Sequence, residues 1–139
     1  MQLDEERASL DANKILMQRK SLATAPCPIA RSLDVIGDWW SLLIVRDALR
    51  GARRFSEFER SLNIAKNILT ARLRKLVAEG ILTTAPAANG SAYAEYLLTP
   101  KGKALRPIIR SLWKWGAIHQ FPAKSRPTKP APFQHFATR

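Results

Sequence analysis

Between Leu69 and Leu98 the hydrophobic period changes once, and that change limits the folds open to this chain. Leu69, Leu73, Leu76 and Val77 recur at the three- and four-residue spacing that lines one side of a helix, until Gly80 stops it. Residues 81–84 and 93–98 then read as strands, with a turn over 86–91 whose Asn89-Gly90 tip supplies the left-handed backbone of a tight hairpin. Just upstream, Ser56 followed by Glu59 fits a capping box, and Phe55 lies where a staple residue packs. A short helix is therefore expected over 56–62, joined by the turn Asn63-Ile64-Ala65 to the longer one. Helix, turn, helix, hairpin is the order that results.

The flanks extend this pattern. Residues 29–49 carry Leu33, Ile36, Trp40, Leu43, Ile44 and Ala48 close to helical spacing, with Gly37 dividing a lead-in from the main helix and Gly51 closing it. Thr99-Pro100 is an N-cap followed by proline at the first helical position, and it opens a last helix bent at Pro107. Residues 3–22 are good helix formers, and prolines on both sides of Cys27 leave a stiff extended segment after them. The expected fold class is mainly α with a small β-hairpin, a winged helix-turn-helix domain. Its expected divisions are an N-terminal extension helix in 1–26, a DNA-binding core over 27–99, a helix over 100–121 and a basic flexible tail over 122–139.

Charge points to the partner. The chain carries 23 Lys and Arg against 11 acidic residues, a net +12, and residues 100–139 hold nine of the cations and no acid. Such an excess favours a polyanion. No apolar stretch is long enough for a bilayer, and the start of the chain is acidic and polar rather than a secretion signal, so a cytoplasmic protein without a membrane partner is expected. The single cysteine, Cys27, forms no intramolecular disulfide and cannot alone hold zinc, and no metal or cofactor is expected. Catalysis would need a clustered nucleophile, acid or base; Cys27, His119 and His135 are isolated in sequence, and only a fold-made Cys27–His119 pair would change that. The expectation is a protein that is not an enzyme.

At 100° per residue, burying Leu69, Leu73, Leu76 and Val77 leaves Asn67, Thr70, Ala71, Arg74 and Lys75 outward. These side chains suit base reading: Asn on adenine, Arg on guanine, and a small Ala71 against a thymine methyl. Arg53, Arg54, Arg60, Lys66 and Arg72 are the candidates for phosphate contacts. An ordinary solvated face is the alternative for this helix taken alone. For the whole chain the alternative is a nonspecific nucleic-acid-binding winged-helix protein, which would bind random duplex nearly as well as any operator.

Cys27-Pro28, Asp34-Val35-Ile36-Gly37 with Trp40, Arg54-Phe55-Ser56-Glu57-Phe58, Leu69-Thr70-Ala71-Arg72-Leu73, Glu79-Gly80-Ile81 and Tyr96-Leu97-Leu98-Thr99 resemble the HxlR-type regulators, in order and spacing, over about residues 27–116. The resemblance implies a winged-helix homodimer similar to MarR-type proteins, more often a repressor than an activator, on a pseudo-palindromic operator in double-stranded DNA. It also implies that N- and C-terminal helices build the dimer, which assigns Leu10, Leu105, Ile109, Leu112, Trp113 and Trp115 to the interface. Some similar regulators sense oxidants or electrophiles through a cysteine where Cys27 stands; a buried, inert thiol is the alternative. Arg31, one helical turn on, would stabilise a thiolate. A small-molecule pocket lined by Trp39, Trp40 and Trp113 is the competing input. The chain departs from the pattern at Asp38-Trp39, where similar proteins usually carry Gly-Lys, and at Ala65, where a serine cap is usual. It departs again at the wing, whose tip from Ala87 to Ser91 has no cation and whose Tyr93 replaces a common arginine.

Overall fold

The computed structural model describes residues 21–90 and 92–129. The expected helix over 3–22 falls almost wholly outside them, as do Leu10 and His135; Ser21 and Leu22, at its expected end, are not helical. The chain divides into two compact units, residues 1–35 and 36–139. In the first, helix α1 (Pro28–Ile36) starts on a proline, whose missing N–H is no loss there. The Asp34 carboxylate accepts from the Leu22 N–H at 2.8 Å, and the Arg31 Nε donates to the Ala25 carbonyl, tying the proline-flanked segment to its own helix.

The second unit holds α2 (Trp39–Leu49), α3 (Phe55–Leu62), α4 (Lys66–Ala78), strands β1 (Leu82–Pro86) and β2 (Ala94–Leu98), then α5 (Pro100–Lys103), α6 (Arg106–His119) and a 3-10 turn (Ala123–Ser125). Gly37 does separate two helices, because Asp38 in extended conformation caps the second through Trp40 and Ser41. Gly51, at φ 104°, closes it. The core gathers Ile44 and Val45 of α2, Phe58 of α3, Leu69, Leu73 and Leu76 of α4, and Ile81 and Leu82 where the hairpin begins. Leu33, expected in the buried stripe, is exposed, and Val77 is only half-buried.

Two local expectations are corrected. Helix α3 starts one residue early, and its reciprocal acid is Glu57 rather than Glu59: the Glu57 carboxylate accepts from the Arg53 and Arg54 N–H groups at 3.1 and 2.8 Å. Arginine at the cap has no acceptor to offer, so this is half of a capping box. The C-terminal helix is broken rather than bent. Pro107 sits in the first turn of α6, where its missing N–H is harmless, and α5 ends before it.

The strands pair antiparallel with Leu82 opposite Leu98 and Thr84 opposite Tyr96, and Gly90 at φ 75° turns the tip. Thr99 caps α5 by accepting from the Gly102 N–H at 3.1 Å. At Gly102 a Cβ would lie 2.2 Å from the Ile81 carbonyl oxygen and 2.9 Å from Leu98 Cδ2. Because the first obstacle is backbone, Gly102→Ala is expected to destabilise the domain by about 2–3 kcal/mol, read by denaturant unfolding. No helix among the described residues is long and apolar enough to cross a membrane.

Candidate nucleic-acid interface

Helix α4 buries Leu69, Leu73 and Leu76 and leaves Lys66, Asn67, Ala71 and Arg74 exposed, with Thr70 and Lys75 half-exposed beside them. No acidic residue occurs between Arg60 and Glu79, so α4 itself contributes cations and no acid to this face. The Thr70 hydroxyl donates to the Lys66 carbonyl at 2.8 Å, which leaves its methyl and its oxygen lone pairs for a ligand. Ala65 offers no side-chain cap, and Asn63 does not replace it: in left-handed conformation at φ 49° it ends α3 instead. The first turn of α4 therefore keeps its N–H groups uncapped next to Lys66, an arrangement that suits phosphate.

The five cations assigned to phosphate separate into two groups. Arg60 and Lys66 are exposed, and half-buried Arg54 edges a cleft of about 540 Å³ shared with Phe55, Ser56, Tyr93, Ala94 and Tyr96, where α3 meets the wing. Arg53, though exposed, and half-buried Arg72 each face an acid. The Arg53 carbonyl accepts from the Tyr96 N–H at 2.7 Å and its guanidinium lies 3.8 Å from buried Glu95, so Arg53 clips the wing to the start of α3. Tyr96 completes that clip by meeting Phe58 edge to face, with ring centroids 6.5 Å apart. Arg72 turns from the outward face to Asp38, its Nε 3.6 Å from the carboxylate.

Asp38, which in the sequence stands out only as a departure from the family pattern, is the N-cap of α2. Its Oδ2 accepts from the Trp40 and Ser41 N–H groups at 3.1 and 2.9 Å, and Oδ1 accepts from the Ser41 hydroxyl. Partial burial works to raise its carboxyl pKa, but the Ser41 hydroxyl and N–H, the Arg72 charge and the Trp40 N–H outweigh this and hold it below the ordinary value. A carboxyl depressed on folding stabilises at neutral pH, and the contribution is lost as pH falls through the lowered value. A carboxylate before a helix that also bonds the hydroxyl three residues on is a signal the sequence carried.

At the wing tip the Gly90 N–H donates to the Ala87 carbonyl at 3.1 Å, and Tyr93 stands largely exposed. Trp39 is 86% exposed in the single chain, while Trp40 and Trp113 are half-buried. On α6, Leu105, Ile109 and Trp113 are half-buried on the side that carries buried Ala117, whereas Leu112 and Trp115 face out with Ile108 and Ile118. The proposed interface thus lies on two sides of one helix, and exposed Ile108, Ile118 and Phe121 stand outside the set assigned to it. His119 lies 5.3 Å from the Trp115 ring. Cys27 is exposed, and Arg31 is engaged on the Ala25 carbonyl. No group of three or more His, Cys, Asp or Glu side chains among the described residues is arranged to hold a metal.

The sequence pattern of the HxlR-like helix-turn-helix family matches residues 35–124. An uncharacterized HTH-type transcriptional regulator of Mycobacterium tuberculosis is 39% identical over 88 residues, 63% of this chain and 56% of the relative, so the chain spans about half of that protein's length. Among solved structures, the transcription factor PA1607 is similar with TM-score 0.76 and 49% identity, over 81% of this chain and 79% of that one. The redox regulator HypR in its reduced form is similar with TM-score 0.62 and 34% identity, over 68% of this chain and 94% of that one.

Proposed function

This chain belongs to the HxlR-like helix-turn-helix family, and we propose that it is a DNA-binding transcriptional regulator, a homodimeric repressor of a pseudo-palindromic operator, and not an enzyme. The observation that carries this reading is the acid-free outward face of α4, anchored from behind by Leu69, Leu73 and Leu76. In the proposal Asn67, Thr70, Ala71, Arg74 and Lys75 read bases, while Arg54, Arg60 and Lys66 hold phosphates. Arg53 and Arg72, also assigned to phosphate, face Glu95 and Asp38 as well, and so help to fix the wing and the reading helix. Residues 27–99 form the reading core, residues 100–121, with α5 and α6, the dimer segment, and the 122–139 tail adds sequence-independent attraction. The test is selection from a random duplex pool followed by titration at physiological salt. A recurrent palindrome bound at least about a thousandfold tighter than random duplex is expected. Equal binding to both would move the protein to the nonspecific class.

A second reading concerns control. Cys27 is exposed in a proline-flanked segment, and HypR, a redox regulator, is among the similar structures. In this reading hydrogen peroxide takes two electrons and two protons from the Cys27 thiols of two subunits, giving one intersubunit disulfide and two waters. Peroxide is expected to produce a dimer band on non-reducing gels and to change operator affinity, both abolished by Cys27→Ser. An oxidised protein that binds as before, with no such band, would leave Cys27 without a signalling role.

A further inference from the structure

We propose that Asp38 is a positioning residue for DNA reading: its charge, acting on Arg72, sets how far α4 is rolled about its own axis. The inference rests on the reading of the α4 outward face as the base-contacting surface. Asp38 is itself rigid, held by two N–H groups of the α2 first turn and by the hydroxyl of fully buried Ser41. Opposite it, the Nε of Arg72 is buried and makes no hydrogen bond, lying 3.6 Å from Asp38 Oδ2.

An N–H stripped of water and short of an acceptor is held in place by the neighbouring negative charge. Without that charge the group is left desolvated and uncompensated; either the Arg72 side chain, 35% exposed, swings to water alone, or α4 rolls with it, and faster backbone exchange over α4 is the mark of the roll. The remaining contacts of α4 permit this, because Leu69, Leu73 and Leu76 bind through apolar surface, which is not directional. A helix with its side chains has a radius of about 5–6 Å, so a roll of about 20° moves the outer atoms by about 2 Å. Bidentate base contacts do not survive that displacement, whereas long cations reaching for phosphate follow it.

Asp38→Asn removes the charge and keeps the helix cap, since the amide oxygen still accepts from the Trp40 and Ser41 N–H groups while the Ser41 hydroxyl turns to accept from the amide nitrogen. Amide hydrogen exchange over residues 66–78, measured without DNA, is expected to quicken several-fold, with exchange in α2 unchanged. Affinity for the duplex that the wild type selects from a random pool is expected to fall about tenfold, with affinity for random duplex unchanged. Arg72→Gln should match it, and the double variant should lose no more than either single one, because both remove the same contact. Unchanged exchange over 66–78, equal loss on both duplexes, or multiplying losses in the double variant would overturn the role of Asp38. A wild type that selects no sequence would overturn the base-reading premise instead, and so the two failures are told apart.

Discussion

Arg74→Ala is expected to lower affinity for the selected operator by about tenfold to a hundredfold while leaving affinity for random duplex nearly unchanged. Arg74 is exposed on α4, one turn from Thr70 and next to Ala71, whose small side chain lets the helix approach the base edges. A bidentate arginine–guanine contact contributes about 1–3 kcal/mol of discrimination, which is the source of that range. Arg54→Ala is the control. Arg54 edges the cleft between α3 and the wing rather than facing a base, so its loss should weaken both duplexes alike and flatten the salt dependence by about one phosphate contact. Fluorescence anisotropy across a salt series reads both. Equal losses on the two duplexes for Arg74→Ala would remove that residue from base reading and return α4 to the role of a solvated face.

The parts of the fold that were legible in the sequence are those fixed by short-range rules. The leucine spacing of α4, the Asn89-Gly90 turn and the Thr99-Pro100 cap each act within a few residues, and each is found where its local chemistry puts it. What escaped depended on partners far along the chain. Arg53 is an exposed cation, and nothing near it in sequence announces that buried Glu95, forty-two positions later, lies 3.8 Å from its guanidinium. Arg72 shares its helix with the reading residues, and only the position of Asp38 at the start of α2 shows that it turns inward. The same limit applies to α6: apolar residues at every third or fourth position announce a helix, but two apolar sides can be told apart only once one of them has met α2.

That division on α6 carries the other large effect. Ile108, Leu112, Trp115 and Ile118 stand between 44% and 57% exposed, and part of this face forms a shallow groove with Pro107 and Ser111. An apolar stripe of this kind is the expected surface of a symmetric helix-to-helix dimer, in which each subunit offers the same residues to the other. Trp115→Glu therefore places a charge where the partner's stripe would lie, and nothing in the subunit's own core is touched. Light scattering is expected to give the mass of one chain at micromolar concentration for this variant and of two chains for the wild type, with an unchanged circular dichroism spectrum. Operator affinity should fall by about a hundredfold or more, because two half-sites held by one dimer gain from effective concentration and separate monomers do not. Affinity for a single half-site should be nearly untouched, which separates loss of pairing from damage to the reading helix. A monomeric wild type, or a Trp115→Glu protein that remains a dimer, would place the subunit contact elsewhere and leave this face to another occupant.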